Sequence, residues 1–157
     1  MIALRLVRLI ESHSEELAES LLQKLERSSR AADLKKVPGR EIRERTHEVY
    51  RNLSDWILTK TDDDIEHVYK TLGRRRAEQG VSISALCWAI MMIEENLWEF
   101  LEMEGMRERP LDILGSLELL RLMDQFFDQA LYFATLGHES YWREKRAETS
   151  ADLAHSI

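Results

Sequence analysis

Apolar residues recur at intervals of three and four along most of the chain, the period of amphipathic helices rather than strands. Leu4, Val7, Ile10, Leu17, Leu21, Leu22 and Leu25 predict a first helix over residues 2–28. Ser12-His13-Ser14 is its weak point, because serine hydroxyls compete for backbone hydrogen bonds. Residues 29–38 read as a loop, since Pro38 disfavours helical backbone before it. Ile42, Thr46, Val49, Tyr50, Leu53, Trp56 and Ile57 stripe a second helix over residues 40–58. Thr61 caps a third, with Asp62, Asp63 and Asp64 in the first turn, where the helix dipole favours negative charge. Arg74, Arg75 and Arg76 suit its last turns, and Gly80 closes it.

Ser82 caps a fourth helix over residues 83–104. From Ile83 to Ile93 it is apolar nearly all round, which predicts a central helix encased by its neighbours. Its second half turns amphipathic, with Leu97, Trp98 and Leu101 against Glu94, Glu95, Glu99 and Glu102. Gly105 ends it, and Pro110 suits the first turn of a fifth segment. Leu111, Leu114, Leu117, Leu120, Met123, Phe127, Leu131 and Ala134 mark the expected buried side. Gly137 is expected to break or bend that helix. Residues 138–157 are polar apart from Tyr141, Trp142 and Leu153, and read as a helical tail leaving the core, with a face able to pair with a second copy.

Composition narrows the function. The chain has 157 residues, enough for one core, and 44% hydrophobic with 32% charged residues suits a folded domain. Scarce Gly (6) and Pro (2) favour long helices over many short strands. A net charge of −7, with Arg74-Arg75-Arg76 the only dense basic cluster, argues against nucleic acid. A single cysteine, Cys87, forbids an internal disulfide and fits a reducing compartment. The N-terminus has no secretory pattern, and the longest apolar run, residues 86–93, is far below the roughly 18 to 20 residues that span a bilayer. A cytoplasmic location is the expectation.

Candidate chemistry is sparse. Glu44 with His47, and Asp64 with His67, stand three apart on one helix face each, the spacing used by di-iron bundles. Glu94, Glu95, Asp124 and Asp128 are further carboxylates for such a site. Both pairs sit among charged neighbours, so solvated surface outweighs a metal. A haem needs a histidine directed into an apolar pocket, and none of the five lies in the 86–93 run. Cys87 has apolar neighbours and no cation to lower its pKa, the mark of an inert thiol. No catalytic triad and no Gly-rich phosphate loop is legible. Trp88, Met91, Met92 and Trp98 are the candidates for lining a pocket. Arg74, Arg75, Arg76, Glu78 and Gln79 are the candidates for a hinge or partner contact.

The string Leu72-Gly73-Arg74-Arg75-Arg76-Ala77-Glu78-Gln79-Gly80-Val81-Ser82-Ile83-Ser84 resembles the N-terminal sensory domain of the RsbR/RsbRD group, the co-antagonist family of bacterial stress signalling. Those domains carry a helix ending in a similar R-R-x-x-Q-G string, followed by an apolar helix. The resemblance covers residues 5–135, and only the string near Gly80 is specific. It implies a globin-like helical fold without haem, usually dimeric, placed ahead of an output module and passing a signal along its exit helix. The chain departs from that pattern by ending at Ile157 without an output domain such as a STAS module, so it is expected either to act alone through a partner or to be part of a longer protein.

The combined expectation is an all-α, globin-like bundle of five to six helices: a sensory body over residues 1–137 and a helical extension over 138–157. It is expected to be non-enzymatic, without cofactor, homodimeric through apolar surface on the last helices, and to signal to a protein partner, with any small-molecule ligand unidentified. The competing class is a haem protein or a carboxylate-bridged metal protein.

Overall fold

A computed structural model describes residues 3–104 and 110–156. Among these residues the chain is all-α, consistent with a globin-like helical bundle. Six α-helices, α1 (Leu4–Ser12), α2 (Ser14–Arg27), α3 (Gly39–Arg51), α4 (Asp62–Glu78), α5 (Ile83–Met103) and α6 (Pro110–His155), are joined by a 3₁₀ segment (Ser29–Lys36) and one π-helical turn (Asp55–Thr59).

The helix predicted over 2–28 breaks at His13, whose φ of −110° and ψ of 18° leave helical space. The Ser12 hydroxyl donates to the Leu9 carbonyl, drawing an acceptor away from the ladder, as the serine pair predicts. Leu6, Val7 and Ile10 of α1 and Leu17, Leu21 and Leu25 of α2 face inward. The predicted loop 29–38 is instead largely 3₁₀, kinked at Ala31. The second helix ends at Arg51 rather than 58, and Trp56 is carried into the core by the π turn. There its ring meets Tyr69 and Phe126 at centroid distances of 5.7 and 5.4 Å, and its indole N–H donates to the Glu48 carboxylate at 3.1 Å.

Thr61 and Asp64 form a reciprocal capping box at the start of α4. Gly80 ends the helix region with a φ of 83°, a left-handed conformation that glycine adopts without strain. Ser82 caps α5 as expected, its hydroxyl accepting from the Ala85 amide. A buried polar network knits α2, α3 and α5. Tyr50 donates to the Ile93 carbonyl at 2.7 Å, and Asn96 donates to the Leu17 carbonyl at 3.1 Å and to the Tyr50 oxygen at 3.3 Å. Burial pushes the Tyr50 phenol well above its ordinary value, so it remains a donor.

Three further expectations are corrected. The apolar run of α5 is covered on most but not all sides: Ala85, Leu86, Ala89 and Ile90 are buried, while Met91 is 50% exposed. The 3₁₀ segment, α2 and α6 cover α5 and leave that flank open. On α6, Leu114, Leu117 and Leu120 face outward, and the buried line runs through Leu119, Met123, Phe126, Phe127, Ala130 and Ala134. This helix is apolar on two faces along its first turns, which a one-sided stripe does not capture. Gly137 does not break α6, which is continuous from Pro110 to His155. The expected helix end at Gly105 and the side chain of Leu111 lie outside what is described.

Candidate functional site

The most extensive helix contact in the fold is between α4 and α6. Its centre is built from small residues. A β-carbon at Gly73 would lie 1.9 Å from the Ala134 carbonyl oxygen, and one at Gly137 would lie 2.1 Å from the Lys70 carbonyl oxygen. Only the absence of side chains at both positions lets the two backbones touch. A helix-interior glycine is unfavourable by about 1 kcal/mol, so two on facing helices need a packing reason, and this contact supplies it.

The Arg-rich string sits at the C-terminal end of that seam and reaches in two directions. Arg74 points to α6, where it donates to Glu144 and lies 5.9 Å from the centre of the Tyr141 ring. The bond to Glu144 raises the Arg74 value, and the same bond holds the Glu144 carboxyl below its ordinary range. Arg75 and Arg76 turn to α3 and share one carboxylate. Arg75 donates to Glu41 at 2.5 and 3.0 Å, and Arg76 donates to it at 2.7 Å. Gln79 completes the cluster, accepting from Arg76 at 2.8 Å and donating to Glu41 at 3.3 Å.

Arg76 is 4% exposed. The hydrogen bond from Arg75, with Arg76 beside it, depresses the Glu41 carboxyl to about 2. Burial pulls the Arg76 guanidinium down, and Glu41 pulls it back up. A nearly inaccessible guanidinium that stays charged at neutral pH requires its carboxylate, whatever the pair adds over an apolar replacement.

The loop after this string is anchored on three sides. The Val81 amide donates to the Arg76 carbonyl, and the Val81 carbonyl lies 2.7 Å from His138 Nε2 on α6. The Ser82 amide donates to Asp33, and Lys36 reaches the Gly80 carbonyl. His138 is thereby a buried structural histidine directed at backbone.

The structure thus gathers Arg75, Arg76 and Gln79 at one carboxylate and turns Arg74 away from them, towards Glu144 of α6. Glu78 is exposed and acts on Arg74 and Arg75 only through its charge. Of the pocket candidates, Trp88, Met92 and Trp98 are partly buried against the core. The Trp88 indole donates to Ser28 with Arg30 stacked 4.5 Å over its ring, and Met91 faces outward. A small cavity of about 40 Å³ does lie between α3, α4, α5 and α6, lined by Ile90 and Ile93 with Val49, Val68, Leu72 and Phe127. It is far too small for a porphyrin, and no histidine lines it. Glu44 and His67 lie at the surface, and Asp64 is spent on the capping box. Among the described residues no three His, Cys, Asp or Glu side chains are grouped to hold a metal ion. No described helix is long and apolar enough to cross a membrane.

Sequence reading missed Glu41, Glu144, His138 and the Gly73–Gly137 seam. The two glycines inside otherwise regular helical patterns were the available signal; the partners of the arginines, 35 and 70 positions away in the chain, had none.

The family model for the RsbT co-antagonist protein rsbRD N-terminal domain matches residues 15–153. No curated protein and no solved structure matches the chain.

Proposed function

Since the chain belongs to the RsbT co-antagonist protein rsbRD N-terminal domain family, a family of stress-signalling regulatory modules, we propose that it is a non-enzymatic, cytoplasmic bacterial sensory domain that acts as a homodimer. Its output is the C-terminal helix. Residues 1–137 form the sensing body and 138–157 the extension that meets a protein partner of the RsbT-antagonising pathway.

The observation that carries this reading is the 46-residue continuity of α6. One face of the helix is buried in the body as far as His138, and the helix is exposed from Trp142 onward, extending roughly 20 Å beyond the core at 1.5 Å per residue. A rigid helix held against α4 by Gly73 and Gly137 and fastened by Arg74 to Glu144 converts a small shift of α4 into displacement of its free end. Packed helices shift between discrete arrangements rather than deform, which suits a switch. The exposed apolar residues Ile113, Leu114, Leu117 and Leu120 at the other end of α6 support self-association, since a contiguous apolar face marks an interaction surface.

The test is co-antagonist activity of the protein with its partner, comparing wild type with Arg74→Ala and Glu144→Ala. Both variants should keep their melting temperature, because exposed ion pairs add little stability. Both should lose signal transmission. Unchanged signalling in both would remove the proposed output route.

A further inference from the structure

We infer that the cleft between α2, the 3₁₀ segment and the start of α3 binds a small aliphatic zwitterion of the branched-chain amino-acid class. This does not depend on the signalling role of α6.

The cleft has a volume of about 240 Å³, and its walls are Leu22, Leu25, Ala31, Leu34, Val37 and Ile42. An apolar cavity of about 150 Å³ is known to accept benzene, so this one admits a branched chain of four carbons with its head group at the mouth. It lies below the roughly 300 to 1,000 Å³ of sites for drug-sized ligands, which excludes nucleotides and larger cofactors.

Charge at the mouth selects the head group. Glu26 and Lys35 line the same cleft, one acidic and one basic. Among the described residues neither makes a hydrogen bond or ion pair, to the other or to a third group. The contrast with their neighbours is instructive. Lys36 is engaged by Asp33 and the Gly80 carbonyl, and Lys24 by Asn96 and Glu99. Glu26 and Lys35, both exposed and both part of the lining of one aliphatic cleft, complement a ligand carrying both charges on a short head and an alkyl tail.

Gly39 keeps the mouth open. It is the first residue of α3 and also lines the cleft. A β-carbon there would sit 3.8 Å from the Leu22 methyl, in ordinary contact, so any longer side chain would extend across the opening. Its backbone lies within the ordinary helical range, so conformation alone does not require glycine.

The experiment is titration of the full chain, followed by the methyl signals of Leu22, Leu34 and Val37, with L-leucine as probe. Isopentylamine, 4-methylpentanoate and glycine each lack one of the three recognition elements. The expected result is saturable binding of leucine, weakened about tenfold or more for either singly charged analogue and absent for glycine. Gly39→Leu should melt at or above the wild-type temperature and lose binding. Should that variant fail to fold, Glu26→Gln and Lys35→Gln decide, each bringing leucine down to the affinity of an analogue lacking one charge. The inference is overturned if leucine does not saturate, if the analogues bind as well as leucine, or if leucine binding survives both charge substitutions.

Discussion

Gly137 of α6 stands directly on the backbone of Lys70 in α4, with no room between them for a methyl group. The expected cost of Gly137→Ala is therefore opposite in sign to its usual effect. In a free helix the change gains about 1 kcal/mol. Here it forces the helices apart and should destabilise by about 2–3 kcal/mol. Gly73→Ala, which meets the Ala134 carbonyl, should do the same. Chemical denaturation of both variants checks this.

Glu41 holds the other side of the Arg string. Glu41→Ala leaves the nearly inaccessible Arg76 guanidinium without its anion and should cost about 3 kcal/mol. The depressed carboxyl also sets a pH dependence. A carboxyl with a folded value near 2 and an ordinary value of 4.5 gives stability that is fully present above pH 4.5 and lost as the pH falls towards 2. Glu41→Gln should flatten the acid limb of a stability–pH profile over that window.

Glu94 works in the reverse sense. Partial burial, with Asp124 and Asp128 of α6 and Glu95 of its own helix nearby, pushes its carboxyl up to about 7, and one of its oxygens is buried without a partner. Between pH 4.5 and 7 the folded chain holds a proton that the unfolded chain has released, so stability falls as pH rises through that window. Glu94→Gln should match wild type near pH 4 and melt about 2–4 °C higher at pH 8, a modest gain because water screens a group that is only partly buried.

The outer face of α6 carries the dimer prediction. Leu117→Glu combined with Leu120→Glu should halve the mass seen by light scattering while leaving the monomer fold intact, since exposed substitutions change stability by about 0.5 kcal/mol or less. A wild-type protein that is monomeric at all concentrations would refute it.

The helices were legible in the sequence wherever a single apolar face met a single core. Thr61, Gly80 and Ser82 mark their boundaries by local chemistry, and the structure uses all three as read. Two-faced segments were not legible. Leu117 and Leu119 are equally apolar, and only the packing of the other elements against α6 decides which one is buried. The Arg string was visible as a feature, but its division was not. Arg74 and Arg76 are two residues apart on α4, so they point to different sides of it, one towards α6 and one towards α3, and their partners are distant in sequence. Glycine weakens an isolated helix, which predicts a break or bend at Gly137, whereas here the helix runs on through its contact with Lys70.

Amide hydrogen exchange along residues 130–150 tests most directly whether α6 is a continuous output helix fastened to α4. Protection should run unbroken through Gly137 to about Glu144 in the wild type, and Arg74→Ala should lower it over residues 139–144 while leaving 130–137 unchanged. Fast exchange beginning at Gly137 in the wild type, or identical protection in Arg74→Ala, would contradict that account.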